Sequence, residues 1–435
     1  MDALGTAILI VFVGTYLVIS TEKVNRTGMS LLGMAIAGIV LWIAAIMEIP
    51  GGTDFAHYAE QIEWSTILFV LSMMIIVGVA GASGMFQYIA LTLSRPSGGD
   101  HKQLFITFLV FVFGISLFFD TVSTMLIMAP LTIEVCKALD IDFKPFLICE
   151  SITCNFASIP SIVGAVPNLV IAQATNLNAG FLFICFLPLS IILFLVTLPL
   201  FLKWYKDSFG VTEKYRVEAV FDIDPTVMIK SRRDFYAAVI AIGVLVVGFS
   251  LGPTFGLEPP LIALGIAAFM LLLSHERANE FLSKVGWDTV FFLVGLFGLV
   301  VALELTGLIH ELGIAIENFI GDDAAVATIF MVWIPAMLSA FLDNLPVSAV
   351  LSPIALQFAS VSPMIPLALV FAVNIGGYIF TPLGSPANMI AIGYSEAEHD
   401  GISFAEFVKL GTIAGIIHLT IGSLWLLGIG VILGV

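Results

Sequence analysis

The sequence predicts an all-α integral membrane protein built from two related halves. Hydrophobic residues make up 60% of the 435 residues and charged residues 11%, whereas a soluble domain carries roughly 25% charged residues. Mean hydropathy is +1.10, and apolar runs of about 17 to 25 residues, long enough to span a bilayer, recur along the chain. Backbone polar groups in lipid must be satisfied internally, so these runs predict helices. A soluble enzyme is excluded, and a net charge of -16 argues against nucleic acid.

An offset of 223 residues relates the two halves. Trp64 pairs with Trp287 at this offset, and Asp120 pairs with Asp343. Further pairs with the same spacing are Thr66 and Thr289, Phe69 and Phe292, Gly84 and Gly307, Ser116 and Ser339, Phe118 and Phe341, and Pro130 and Pro353. The recurrence indicates a duplication.

Each half contains five predicted spans and one apolar region that an aspartate interrupts. The spans of the first half are 5–20, 29–48, 62–84, 145–175 and 179–203, and its interrupted region is 103–138. The spans of the second half are 234–251, 258–275, 287–306, 365–394 and 404–434, and its interrupted region is 323–360. An interrupted region fits either a re-entrant hairpin that returns to its own side of the membrane or a pair of full crossings.

The basic residues predict the topology. With the amino terminus outside and two re-entrant hairpins, all 16 lysines and arginines fall on one side, which is the cytoplasmic side by the positive-inside rule. The polar segment 203–233 is then a cytoplasmic linker, and both termini lie outside the plasma (inner) membrane. Counting each interrupted region as two crossings gives the same sidedness, so this test does not decide between the alternatives.

The predicted division is a first repeat over 1–210 with its hairpin at about 103–138, a linker over 211–233, and a second repeat over 234–435 with its hairpin at about 323–360. Five crossings per half is an odd number, so the second repeat enters from the opposite face. This predicts the inverted repeats of secondary transporters.

The interrupted regions carry the first set of candidate ligands. A carboxylate deep in apolar sequence costs several kcal/mol, so one at the same place in each repeat indicates an ion site. Asp120 is followed by Thr121 and Ser123, and Asp343 is followed by Asn344. These oxygens and the helix ends of a hairpin tip suit a small cation such as sodium. The alternative reading is that each aspartate caps the returning helix, and one carboxylate can do both.

A helix broken by proline and small residues follows each hairpin. Proline removes a helical hydrogen bond and glycine permits unwinding, so the segments 155–168 and 374–388 predict discontinuous helices that expose backbone to cargo. Each segment ends in a Gly-x-x-x-Asn pattern. The candidate binding residues of these segments are Asn155, Ser158, Ser161, Gly164, Asn168, Asn374, Thr381, Ser385 and Asn388.

The segments 338–346, 155–168 and 374–388 resemble motifs of the ion transporter superfamily, in the branch that holds the arsenite permeases, the NhaD sodium/proton antiporters and the melanosomal P protein. Thr381 to Asn388 is also similar to the divalent anion:sodium symporters. The resemblance spans essentially the whole chain. It implies an elevator-type homodimer in which hairpin tips and broken helices bind cation and substrate. The chain departs from the branch at Ala157-Ser158, where two glycines are common.

The leading functional prediction is a sodium/proton antiporter without a bound cofactor. A carboxylate in low-dielectric surroundings binds a proton more readily, so sodium and proton can compete for Asp120 and Asp343. Glu150, within a span and six residues beyond Lys144, is a possible proton-path residue. The expected partners are membrane lipid, a small ion or small anion, and a second copy of the chain.

Two other functions are alternatives to sodium/proton exchange. The runner-up is a sodium- or proton-coupled permease for a dicarboxylate or an oxyanion such as arsenite, with helix amino ends and Ser, Thr and Asn side chains holding the anion. An intramembrane aspartyl protease would also use two aspartates. The Tyr-Asp and Gly-x-Gly-Asp sequences typical of such enzymes surround neither Asp120 nor Asp343, so we predict that the chain is not an enzyme.

Overall fold

The computed structural model describes residues 3–20, 23–213, 224–320, 323–359 and 361–434. Within these ranges all regular secondary structure is helical, apart from one isolated β-bridge between Asp100 and Val211. Residues 214–223, in the middle of the predicted linker 211–233, lie outside the described residues.

The first half forms ten α-helices over its described residues. They are α1 (Ala3–Ser20), α2 (Arg26–Ile46), α3 (Phe55–Glu60), α4 (Trp64–Ala82), α5 (Met85–Ser94), α6 (His101–Ser116), α7 (Thr121–Leu139), α8 (Lys144–Ala157), α9 (Val166–Ala174) and α10 (Ala179–Trp204).

The described part of the second half also forms ten. They are α11 (Arg232–Leu251), α12 (Pro259–Leu273), α13 (Ala278–Ser283), α14 (Trp287–Leu305), α15 (Leu308–Ile320), α16 (Ala324–Phe341), α17 (Asn344–Phe358), α18 (Met364–Gly376), α19 (Pro386–Ala397) and α20 (Phe404–Leu433).

Helix boundaries repeat with the same offset as the residues. The first residues of α3 to α7 and of α13 to α17 are Phe55 and Ala278, Trp64 and Trp287, Met85 and Leu308, His101 and Ala324, and Thr121 and Asn344, each pair 223 apart. The caps recur as well, because Asp100 caps α6 and Asp323 caps α16 through side-chain oxygens that accept backbone N–H bonds. The duplication therefore extends from single residues to the helices that they start.

Length and apolarity mark the membrane-spanning helices. Within the described ranges, seven helices are long and apolar enough to cross a bilayer, or eight if α12 and the bent segment after it count as one span. Shorter apolar helices include α6, α17 and α18. The predicted span 145–175 is divided into α8 and α9, and the predicted span 365–394 into α18 and α19. The protein is thus an integral membrane protein with interrupted helices at its centre.

The helices pack in two groups. In what we call the α2–α14 group, α2 packs on α1 and α14, while α4 packs on α11 and α12. In what we call the hairpin group, α6 packs on α8 and α16 packs on α18, and α7 and α17 join them. Here a hairpin is the helix pair α6–α7 or α16–α17, and its tip is the turn at Asp120 or Asp343; the name describes the turn and not whether the pair crosses the bilayer. Every residue of α18 is buried, and so is nearly all of α8. The two broken helices therefore form the core of the hairpin group.

The halves exchange partners within the hairpin group. Helix α7 of the first half packs against α19 of the second, and α17 of the second half packs against α9 of the first. Each hairpin consequently packs against the broken helix of the other half. This reciprocal packing brings the two hairpin tips to one place.

Candidate functional site: a cavity between two hairpin tips

Both interrupting aspartates cap the helix that follows them. Asp120 Oδ1 accepts a hydrogen bond from Ser123 N at 3.0 Å, and the Ser123 hydroxyl donates to Asp120 Oδ2. Asp343 Oδ1 accepts from Leu345 N at 3.0 Å. Each carboxylate satisfies an amide that the first helical turn leaves unpaired, which is why each new helix begins there. The capping reading is correct; both oxygens of Asp120 accept hydrogen bonds from Ser123, whereas the cap of Asp343 uses Oδ1 alone.

The two tips line one cavity of about 820 Å³. Asp120, Thr121 and Ser123 contribute from the first tip, and Asp343 and Asn344 contribute from the second. Val166 and Pro167 at the start of α9 and Pro386 at the start of α19 complete this side of the wall. Four helix amino ends on this side thus face a cavity that also holds the carboxylates of Asp120, Asp343 and Asp288, so its wall offers partial positive charge and full negative charge together.

Arg26, the first residue of α2, also lines this cavity. Its guanidinium lies 3.9 Å from Asp343 Oδ2 and 3.7 Å from Asp288 Oδ2. The guanidinium carbon stands 5.5 Å from the centroid of the Phe292 ring, within the range of a cation–π contact. The sequence predicts that Arg26 lies in a loop outside the spans. No local signal marks its role, because it meets the second tip from more than three hundred residues away in the chain.

The two tips therefore differ in charge environment. Asp343 has a basic partner, and its side chain is 23% exposed. Asp120 is 8% exposed, and no ion pair between described residues includes it. A carboxylate that is buried without a counter-charge must bind a proton or a cation, because an isolated charge in a low dielectric is costly. Asp120 is thus the stronger candidate for a site that sodium and protons share.

Glycines allow each broken helix to approach its hairpin. A Cβ at Gly164 would lie 2.7 Å from the carbonyl oxygen of Ser116, and one at Gly384 would lie 2.2 Å from that of Ser339. Such distances forbid a side chain at either position. Since Ser116 and Ser339 occupy matching positions of α6 and α16, the same close approach is used in both halves.

Two asparagines close the breaks with their side-chain amides. Asn168 Nδ2 donates to Ser158 O at 3.0 Å and to Ser161 O at 2.9 Å. Asn388 Nδ2 donates to Gly377 O at 2.7 Å and to Pro382 O at 3.1 Å. The Ser158 and Ser161 carbonyls also accept turn hydrogen bonds from Ser161 N and Gly164 N, at 3.1 and 3.2 Å. The asparagine amides add a second donor where the helix stops, and each such bond contributes about 1 kcal/mol. The asparagine of each Gly-x-x-x-Asn pattern therefore stabilises the interruption.

The two breaks are also joined to each other. Asn374 Nδ2 donates to Asn168 Oδ1 at 2.6 Å, and Asn155 Nδ2 donates to Asn388 Oδ1 at 3.2 Å. We call the first of these contacts, together with Ser158, the first crossing. We call the second contact, together with Gly377, the second crossing.

The structure thus separates the predicted site residues into two sets. Asp120, Thr121, Ser123, Asp343 and Asn344 line the cavity. The others lie in or beside the buried breaks: they are Asn155, Ser158, Ser161, Gly164, Asn168, Asn374, Thr381, Ser385 and Asn388. Only the first set lines the cavity between the tips.

Glu150 and Thr381 have defined partners outside the cavity lining. Glu150 is fully buried, and its Oε1 accepts a hydrogen bond from the Thr132 hydroxyl at 2.8 Å. Thr381 donates to the carbonyl of Ala340 and thereby ties the second break to α16. A proton path through Glu150 stays a prediction.

No group of three or more His, Cys, Asp or Glu side chains is placed to hold a metal ion among the described residues. A tightly bound divalent ion normally requires several such ligands. The two carboxylates at the tips suit a weakly held ion that enters and leaves the cavity.

The model of the family described as "CitMHS: Citrate transporter" matches residues 16–373. The chain belongs to this family. The resemblance to the ion transporter superfamily is thereby confirmed, and the chain is a membrane transporter rather than an enzyme.

Several relatives cover almost the whole chain. It is 28% identical to a "46 kDa membrane protein" of Mycobacterium leprae, over 96% of both chains, and 27% identical to an uncharacterized transporter of Mycobacterium tuberculosis, over the same share. The human P protein is 27% identical over 99% of this chain and 60% of its own length.

Among solved structures, the YdaH transporter of Alcanivorax borkumensis has a similar fold. The TM-score is 0.57, with 14% identity, and the match covers 94% of this chain and 98% of that one. This likeness concerns the fold alone.

Proposed function

We propose that this transporter exchanges sodium for protons and that Asp120 is the carboxylate for which the two ions compete. The single observation that carries the proposal is the position of Asp120, buried in the wall of the cavity and without a basic partner among the described residues. A carboxylate that binds one proton or one sodium ion at a time couples the two fluxes, because each ion must leave before the other binds. Thr121 and Ser123 beside it supply further oxygen ligands.

Asp343 has a second role in this proposal. Arg26 lies between Asp343 and Asp288, so its positive charge partly offsets the negative charge of these two acids in the cavity wall. A sodium ion that approaches Asp343 would compete with the guanidinium for the same oxygen. The second tip therefore adjusts ion affinity, while the first tip holds the exchanged ion.

The packing supports an elevator movement of two inverted repeats. The hairpin group contains both tips and both broken helices, and the α2–α14 group contacts it across the cavity. Movement of the hairpin group past the other would carry the site across the membrane. Arg26 and Lys284, which the topology places on the cytoplasmic side, line the cavity, so we propose that this conformation faces inward. The homodimer implied by the resemblance belongs to the same proposal.

The test is exchange in everted membrane vesicles with a pH-sensitive dye. We expect Asp120→Asn to abolish the sodium-dependent pH change, a loss of at least about 100-fold for a ligand charge worth roughly 3 kcal/mol. The matched control is Asp323→Asn, because Asp323 also caps a helix, with Oδ1 accepting from Ala325 N and Val326 N at 2.9 and 3.0 Å. Full exchange in Asp120→Asn would refute the proposal.

A second candidate function is transport of a polycarboxylate such as citrate with a coupling cation. It is favoured by Arg26, which brings a guanidinium to the cavity, and by the description of the family. Guanidinium and helix amino ends are the groups that bind carboxylates.

Citrate-dependent thermal stabilisation of the purified protein separates the two candidates. We expect Arg26→Gln to remove it if citrate is cargo. Arg232→Gln is the control, because Arg232 is likewise the first residue of a helix, α11, but is exposed and does not line the cavity.

A further inference from the structure

The orientation of the second crossing is fixed by a chain of amide contacts. Asn388 Nδ2 faces two carbonyl oxygens, Gly377 O and Pro382 O, so its Oδ1 must be the atom that meets Asn155. Asn155 then presents its own Nδ2 to Asn388 Oδ1 at 3.2 Å and to Ser151 O at 2.7 Å. A flipped Asn155 amide would place its oxygen against two acceptors. Asn155 Oδ1 therefore points away from both.

The first crossing uses the same contacts but completes them. Asn374 Nδ2 donates to Asn168 Oδ1 and, at 2.8 Å, to Val370 O, which lies four residues earlier, as Ser151 does for Asn155. The freed Asn374 Oδ1 lies 3.2 Å from the Ser158 hydroxyl, whose single hydrogen it shares with the Asn155 carbonyl at 2.8 Å. Every polar atom of the Asn374 side chain thus has a partner.

Asn155 Oδ1 has none. Within the part of the chain that the structure describes, this buried oxygen has no hydrogen-bond partner. Asn155 and Asn374 are 219 residues apart, and at the same spacing the counterpart of Ser158 is Gly377. The residue that supplies a hydroxyl in one half is a glycine in the other. A buried polar atom left without a partner normally points to a bound water, ion or ligand.

Gly377 marks the place where oxygens converge. A Cβ at Gly377 would lie 3.1 Å from Asn155 Oδ1, 3.1 Å from the carbonyl oxygen of Asn374 and 3.1 Å from Ser385 Cβ. Ser385 Oγ is a second buried atom without a partner among the described residues. Asn155 Oδ1, the Ser385 side chain and the Asn374 carbonyl, which also accepts from Gly377 N at 3.3 Å, therefore meet beside Gly377, on residues that are 0% exposed.

The chemistry of this space favours a small monovalent cation. Amide, hydroxyl and carbonyl oxygens are hard neutral ligands of the kind that small cations take. The carbonyl belongs to the last turn of α18, where the helix dipole is negative. No carboxylate is among these ligands, so a divalent ion would be poorly compensated. Neutral ligands at a helix carboxyl end match a single positive charge.

We propose that Asn155 Oδ1, Ser385 Oγ and the carbonyl of Asn374 bind a sodium ion beside Gly377, at a site separate from the carboxylates of the cavity. The proposal deepens the proposed function and shares with it only the identity of the ion. Sodium at this position joins both broken helices through their own oxygens, so its binding stabilises the second crossing as the Ser158 hydroxyl stabilises the first.

The test is sodium-dependent thermal stabilisation of the purified full chain, with potassium and choline at equal ionic strength for comparison. The background is Asp120→Asn/Asp343→Asn, which removes the carboxylates of both tips and leaves Asp288 as the remaining carboxylate of the cavity wall. We expect this variant to retain a sodium-specific rise in melting temperature and Gly377→Ser to abolish it. Gly377 has helical φ and ψ of −53° and −23°, so a serine fits the backbone and offers a hydroxyl to Asn155 Oδ1.

Two further variants serve as a control and as an alternative to Gly377→Ser. Gly393→Ser is the matched control, since Gly393 lies on α19 with nothing within 4 Å of an added Cβ, and it should leave the response unchanged. If Gly377→Ser fails to fold, Ser385→Ala removes one proposed ligand without adding bulk. We expect it to raise the sodium concentration at half-response at least about tenfold, equivalent to one lost ligand.

The outcomes separate this proposal from the proposed function. No sodium-specific response in the double-aspartate background, or an equal response in potassium and choline, overturns the site and leaves a bound water beside Gly377 as the explanation. An unchanged response in both Gly377→Ser and Ser385→Ala also overturns it. A response that persists in this background and disappears in Gly377→Ser supports the site, even if the wild-type protein shows no sodium/proton exchange.

Discussion

The two crossings have the same framework and differ by one hydroxyl. In each, an asparagine from the first segment of one broken helix donates to an asparagine from the second segment of the other. The first crossing is completed by Ser158, whereas Gly377 leaves Asn155 Oδ1 without a partner among the described residues. Duplication therefore supplied the framework of both crossings. The side chain at one position, serine or glycine, then decides whether the asparagine oxygen of a crossing has a hydrogen-bond donor.

The two hairpin tips likewise share a framework and differ in the charged groups around the aspartate. Both aspartates cap a helix, but only Asp343 meets Arg26. Equivalent positions in a duplicated protein can therefore have different roles in one site. One tip retains an unpaired carboxylate, and the other holds a carboxylate that a guanidinium already compensates.

Among variants that test the difference between the two tips, we expect the largest effect on sodium affinity at the second tip. Asp343→Asn leaves the guanidinium of Arg26 facing the cavity with less counter-charge, so we expect sodium affinity to fall about 10- to 100-fold, as for a lost charged hydrogen bond. Arg26→Gln in the same chain should restore part of the loss, because the two groups interact directly. Sodium titrations of exchange in vesicles measure both. A double variant no better than Asp343→Asn would show that Arg26 does not act through this acid.

The next effect concerns the shared framework. Asn168→Leu and Asn388→Leu each remove two hydrogen bonds to break carbonyls and one to the facing asparagine. We expect each to reduce stability by about 2–4 kcal/mol, since each variant loses three buried hydrogen bonds worth roughly 1 kcal/mol apiece. Thermal unfolding of the purified variants measures the loss. A loss confined to one of the two would contradict the equivalence of the crossings.

A smaller effect is expected from converting the first crossing toward the second. Ser158→Gly removes the donor to Asn374 Oδ1, at a cost of about 1 kcal/mol for one hydrogen bond. We expect sodium to recover more of the stability of this variant than of the wild-type protein, because a second amide oxygen is exposed. The control is Ser158→Ala, which removes the hydroxyl but retains the Cβ. Equal sodium responses in the two variants would argue against a role for that space.

The smallest effect is expected at Glu150, where the halves differ outside the crossings. Its counterpart at an offset of 219 is Leu369, and both are fully buried. We expect Glu150→Gln to keep the Thr132 contact and to slow exchange only a few-fold, with sodium-dependent stabilisation unchanged, because the side chain does not line the cavity. Initial rates in vesicles over a range of pH test this. Complete loss of exchange with normal sodium stabilisation would instead place Glu150 on the proton path.

The sequence alone determined the membrane class, the duplication, the interrupting aspartates and the broken helices. Each depends on local composition or on a fixed offset: proline lacks a backbone donor, clustered glycines permit unwinding, and an aspartate before a helix caps it. The motifs also identified the family, because they are short and continuous.

Only the tertiary structure decided how these parts meet. The pairings of Arg26 with Asp343 and of Asn155 with Asn388 join residues more than two hundred positions apart, and which helix packs on which sets them. The sequence could not show that Asn155 Oδ1 lacks a donor while Asn374 Oδ1 has one. That distinction depends on the orientation of side-chain amides, which is fixed only when both breaks and their facing carbonyls are in place.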